Sequence, residues 1–185
     1  RVDRDAAVQP TGFDTTFRFG PFSGSTEDFA PVGLNSLLYK YATDMRHIAL
    51  LLGRNRDAVL WSHRAAARKR AINRYLWNPS TGLYFDYNFV TRTQSTYRYI
   101  TTFYPLWTGL ATPTQAAAVE RHLHEFNFPG GLATSETDSG TQWDLPFGWA
   151  PTQWLAVQGL DLYGFHQDAR TIARSISEGN LSVSV

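Results

Sequence analysis

The chain has 185 residues, 43% of them hydrophobic and 15% aromatic, with a formal net charge of +1 and no cysteine. One domain of this size can bury a sizeable core, removing about two-thirds of its unfolded surface from water. The near-neutral balance leaves no footprint for nucleic acid, the missing cysteines exclude disulfides and thiolate chemistry, and no run of about 18 apolar residues offers a membrane span.

Arg1-Val2-Asp3-Arg4-Asp5 is too charged for a signal peptide, so any targeting segment is expected upstream of Arg1. Pro31 stands at a helix start, and Leu34, Leu37, Leu38, Tyr41, Met45, Ile48 and Leu52 recur at three- and four-residue spacing up to a helix-stop Gly53. After Arg54-Asn55-Arg56, a second helix carries Ala58, Trp61, Ala65, Ile72 and Leu76 on one face. Its cluster Arg64-Ala-Ala-Ala-Arg68-Lys69-Arg70 reads as a solvated face rather than a phosphate strip. The two helices make an antiparallel hairpin.

Asn78-Pro79-Ser80-Thr81-Gly82 breaks the pattern, and the aromatic runs 83–87 and 96–100 read as short extended structure. Helical signals return from Thr102 to Leu110 and from Pro113 to Phe126, a second hairpin. A long Gly-, Ser- and Thr-rich connection from Asn127 to Gly148 then points to a functional loop. A helix from Ala150 to Tyr163, with Trp154, Leu155, Val157 and Leu162 inward, and another beginning at Asp168 make a third hairpin. Hairpins joined by aromatic, glycine-rich loops suggest an all-α toroid with the loops, including short extended segments, at one rim. Three or four hairpins would not close such a ring, so an apolar edge is expected to remain.

The connection closes on Gln142-Trp143-Asp144-Leu145-Pro146-Phe147-Gly148-Trp149-Ala150-Pro151. Indole and phenyl faces suit the C–H face of a sugar ring, and Gln142 and Asp144 can hydrogen-bond its hydroxyls. Asp144 followed by Leu-Pro equally suits a loop anchor. Near the start, Thr11-Gly12-Phe13-Asp14-Thr15-Thr16-Phe17-Arg18 sets an acid among aromatics, a setting that can raise a carboxyl pKa and make it a proton donor. The plainer alternative is that Asp14 caps a turn or pairs with Arg18. Trp61, Trp107 and Trp154 lie on helical faces and fit a core better than a site. The five histidines show no metal-ligand spacing, and no phosphate loop or nucleophile elbow is present, so neither metal nor cofactor is expected.

The Gln142–Pro151 motif, together with Gly12-Phe13-Asp14, Arg18 and Pro129-Gly130-Gly131-Leu132, resembles the inverting trehalases, which hydrolyse α,α-trehalose to two glucoses. The likeness runs from about Thr11 to about Ile176, through Gly82-Leu83-Tyr84-Phe85-Asp86-Tyr87 and Thr102-Phe103-Tyr104-Pro105-Leu106. It implies a single domain over residues 1–185, an incomplete (α/α) toroid of helical hairpins, acting on trehalose. Asp14 would be the general acid, Gly12 a backbone contact, and Phe13, Arg18, Gln142, Trp143, Asp144 and Trp149 substrate-binding residues. It also favours a periplasmic or secreted location.

Inversion needs a second carboxylate as base, roughly 6.5–9.5 Å from the acid. By the resemblance that glutamate belongs to a segment following Ile176, and arginine-rich sugar-binding segments belong upstream of Arg1. Pro10 stands where the family commonly has a glutamate, and Glu136 and Glu178 lack the base's flanking pattern. A noncatalytic sugar-binding or assembly module that pairs through its open hairpin edge, and a related toroidal α-glucosidase, remain the alternatives.

Overall fold

A computed structural model describes Phe13, residues 16–21 and residues 24–178 of the chain. Gly12 and Asp14 lie outside the described residues, as does the side chain of Glu178.

Helix α1, Val32–Leu51, starts where Pro31 holds an extended backbone and Asn35 Nδ2 donates to the Pro31 carbonyl (2.9 Å). It stops where Gly53 takes φ +67°, and α2, Asn55–Ala71, returns alongside. Asp57 in the first turn of α2 and Arg68, Lys69 and Arg70 in its last turn complement the helix dipole. The buried residues of α1 are small, namely Val32, Gly33, Ser36, Ala42 and Ala49, and Ala58 and Ala65 answer from α2. Of the larger periodic stripe, Leu37, Leu38, Tyr41, Ile48 and Leu52 are exposed, and Leu34 and Met45 are half-buried. Periodicity marked that stripe but could not say what covers it.

A π-helical turn, Ile72–Leu76, carries α2 into β2, Trp77–Asn78, which pairs antiparallel with β3, Leu83–Tyr84. Asn78 Oδ1 builds the turn between them, accepting from Ser80 N–H (3.0 Å) and Thr81 N–H (3.2 Å). A small sheet follows, with β4, Tyr87–Asn88, between β1, Phe29–Ala30, and β5, Thr93–Gln94.

The second hairpin is more broken than its sequence suggests. It consists of a 3-10 turn Ile100–Phe103, α3 Tyr104–Trp107, α4 Pro113–Glu120 and α5 Leu123–Phe126. Gly109 at φ +68° ends α3, and α4 opens on a capping box in which Gln115 N–H donates to Thr112 Oγ1 (3.2 Å) and Thr112 N–H to Gln115 Oε1 (2.9 Å). The long connection contains a two-residue ladder, β6 Asn127–Phe128 with β7 Gly131–Leu132.

The last hairpin is α6, Ala150–Leu162, with α7, His166–Glu178. The face of α6 that turns inward carries Thr152, Gln153, Ala156, Gly159 and Leu160, not the expected Trp154 and Leu162. Trp154 is 55% exposed, touching Trp107 edge-on at 6.4 Å between ring centroids, so it is not a core residue. Close approach decides the face. A Cβ on Gly159 would sit 2.8 Å from the Trp107 nitrogen and 2.9 Å from Leu106 Cβ, so α6 crosses α3 where no side chain intervenes. Phe103, Leu106, Leu110, Phe126, Leu132 and Leu160 fill the core beneath the loops that carry the site.

Candidate functional site

The indoles of Trp143 and Trp149 stack at 4.3 Å with 14° between their planes. Trp149 Nε1 donates to the Gln142 carbonyl (2.8 Å), which folds the motif back on itself. Gln142 is exposed and both indoles are half-buried, so this end of the motif faces solvent.

Behind the indoles the aromatic contacts continue inward. Phe13 meets Trp143 edge-on at 4.9 Å and Tyr99 edge-on at 5.3 Å, and Tyr99 Oη donates to the Trp143 carbonyl (2.8 Å). Phe13 is 4% exposed, its ring taken up between those neighbours. The residue preceding Asp14 is therefore packed against the aromatic motif, across some 130 positions of sequence.

Arg18 and Asp144 have partners other than the expected sugar. Arg18 is 2% exposed, and its guanidinium lies 4.1 Å from the Tyr99 ring centroid. Its Nε and Nη2 donate to Asp86, the latter at 2.6 Å, and Nη2 also reaches Thr101 Oγ1 (3.0 Å). Among the described residues its carboxylate partner is Asp86. Burial pulls the Arg18 pKa down, but the Asp86 charge and hydrogen bonds more than offset this and leave it above the usual value. Asp86 Oδ1 also accepts from Val32 N–H (2.7 Å), so the pair ties the start of α1 to the acid-bearing segment.

Asp144 is fully buried, as a loop anchor would be. It accepts from Thr16 Oγ1 (3.1 Å), Phe17 N–H (3.0 Å), Ser135 Oγ (3.1 Å), Ser139 Oγ (2.6 Å) and Thr141 Oγ1 (3.0 Å). Beside it, burial followed by the Asp144 charge pushes the Tyr97 hydroxyl up to about 12.

The Pro129-Gly130-Gly131-Leu132 bend reaches the motif through Gln153, whose Oε1 accepts from Leu132 N–H (3.0 Å). A Cβ on Gly148 would stand 2.5 Å from the Leu132 carbonyl oxygen and 2.9 Å from Gln153 Nε2, so only glycine permits this junction. Asp86, Thr101, Gln153 and the hydroxyls of Ser135, Ser139 and Thr141 were not singled out in the sequence. Asp86 did carry a signal, a lone acid in an aromatic run, which demands a partner once buried. The hydroxyls lie in a stretch whose composition reads only as loop.

The model of the trehalase family matches residues 5–182. The cytosolic neutral trehalase of Neurospora crassa is 41% identical over 198 residues, covering 91% of this chain and 26% of that protein. A probable trehalase of Saccharomyces cerevisiae is 39% identical, covering 91% of this chain and 24% of that protein. The chain therefore spans about a quarter of the length of these curated relatives. Among solved structures, neutral trehalase from Saccharomyces cerevisiae superposes with a TM-score of 0.84 at 34% identity, covering 95% of this chain and 36% of that one. A GH63 mannosylglycerate hydrolase from Thermus thermophilus, solved with glucose, gives a TM-score of 0.73 at 20% identity over 83% of this chain and 40% of that one, a likeness of fold alone. The toroidal helical fold expected from the sequence is thus shared with solved relatives. The lean toward a periplasmic or secreted location is overturned, because relatives at this identity bear the name cytosolic neutral trehalase. With its toroidal hairpins, its aromatic motif and a family match over nearly its whole length, the chain belongs to the trehalase family.

Proposed function

We propose that this chain carries the acid half of an inverting α,α-trehalase site. Asp14 protonates the glycosidic oxygen as the bond to the anomeric carbon breaks, while a second carboxylate takes a proton from the water attacking the opposite face. Trp143 and Trp149 present the apolar face to a glucose ring, Gln142 offers hydrogen bonds at its edge, and Gly12 contacts the sugar through its backbone. Phe13 and Arg18 shape the site from below, since both are buried against protein neighbours.

The observation that carries the reading is the packing of Phe13 against Trp143, which brings the acid-bearing segment and the sugar-facing motif together. Among the described residues none is assigned as the second carboxylate. Glu136, which lacks the flanking pattern of the family's base, is engaged with Arg98 at 3.5 Å. The exposed stripe of α1 supports association through that edge, with another segment or another chain covering it.

Calorimetric titration of 1-deoxynojirimycin, a glucose-shaped amine cation, into the 185-residue chain tests the reading. Binding that weakens at least about tenfold in Asp14→Asn is expected, from loss of one charged hydrogen bond. Equal binding by the two proteins would overturn it.

A further inference from the structure

The aromatic motif places a charged side chain where a sugar cannot reach it. Asp144 lies between stacked Trp143 and the Leu145-Pro146 turn, yet it is 0% exposed. Its partners fall on two sides. Thr16 and Phe17, just beyond Asp14 in sequence, donate to it at 3.1 and 3.0 Å. Ser135, Ser139 and Thr141, from the connection ahead of the motif, donate at 3.1, 2.6 and 3.0 Å. A carboxylate accepts on both oxygens, and every one of these neighbours can donate. No side chain with a donor of its own fits as well. The Phe17 amide has no alternative orientation, whereas the hydroxyls can turn.

We propose that Asp144 is a positioning residue that fastens the Asp14-bearing segment to the loop bearing Trp143 and Trp149. It thereby sets where the acid stands relative to the aromatic face, and it makes no contact with the sugar. This rests on the reading of Asp14 as the acid. Asp144→Asn keeps an acceptor for Phe17 and lets the hydroxyls rotate, so it is the milder change. Asp144→Ala removes the fastening, and Thr16→Val removes one strand of it, together with the hydroxyl that accepts from Arg18 N–H (3.1 Å), while keeping the buried volume.

The test is 1-deoxynojirimycin affinity across Asp14→Asn, Asp144→Ala, Thr16→Val and the double variant Asp14→Asn/Asp144→Ala, together with amide hydrogen exchange. Asp144→Ala is expected to weaken binding at least about tenfold, Thr16→Val less, with almost no added loss from Asp144→Ala once Asp14 is asparagine. The Phe17 amide should exchange at least about tenfold faster in Asp144→Ala, while α1 and α2 exchange as before. Should Asp144→Ala not fold, Thr16→Val carries both readouts. Additive losses would mean that Asp144 touches the ligand itself, and unchanged Phe17 exchange would mean that nothing is fastened, and either overturns the proposal alone. Undiminished binding by Asp14→Asn overturns the acid reading and this proposal with it.

Discussion

Arg18→Met removes the cation from a pair in which both members are 2% exposed. Three hydrogen bonds disappear, two to Asp86 and one to Thr101, and the buried Asp86 carboxylate is left with Val32 N–H as its donor among the described residues. Breaking such a pair from one side costs about 3–5 kcal/mol, because the surviving charge is uncompensated. Methionine refills the stem and keeps contact with Tyr99, so little of that cost comes from a cavity. Asp86→Asn should hurt for the mirror-image reason, and the double variant should cost less than the sum by at least about 2 kcal/mol. Urea unfolding followed by tryptophan fluorescence measures all three. Since the Arg18 pKa is raised, its contribution is full below the ordinary arginine value and is lost only as pH rises through the still higher folded value, so the deficit should be constant from about pH 6 to 9. A loss below about 1 kcal/mol, or strict additivity, would refute the account of Arg18 as a buried tie between the acid segment and α1.

Gly148→Ala drives a methyl into the Leu132 carbonyl, 2.5 Å from an ideal Cβ, and should destabilise by about 1–3 kcal/mol in denaturant melts; a neutral result would mean the two loops do not meet this closely. Burial pushes the Glu125 carboxyl up, but hydrogen bonds and charge from His122 and Arg98 hold it below its ordinary value of 4.5. Its contribution is present above that unfolded value and lost as pH falls through the lower folded one, so the Tm gap to Glu125→Gln should shrink below about pH 4.5, and a constant gap would contradict the pairing. Charging the open stripe with Leu38→Glu and Ile48→Glu should abolish concentration-dependent association in sedimentation velocity, and a chain monomeric before the change would remove the reason for the expectation.

Much of this was legible in the sequence for identifiable reasons. Helix α1 was bounded correctly because Pro31 and Gly53 act locally, through backbone conformation alone. The direction each helix faces was not, because Leu52 and Trp154 resemble core residues whatever lies beside them, and the inward choice on α6 depends on how closely Gly159 lets α3 approach. The site motif was recognisable from its crowding of costly residue types. The division of labour was not: Asp144 read equally as ligand or anchor, and Arg18 as a sugar contact or a partner of Asp14, until Thr16, Ser135 and Asp86 are brought beside them from other parts of the chain.

The central claim, that the Gln142–Trp149 aromatic face recognises a glucose ring, is tested most directly by indole N–H resonances during titration with 1-deoxynojirimycin. The account predicts shifts at Trp143 and Trp149 and unmoved signals from Trp61, Trp77, Trp107 and Trp154. Shifts confined to those four, or none at any indole, would contradict it.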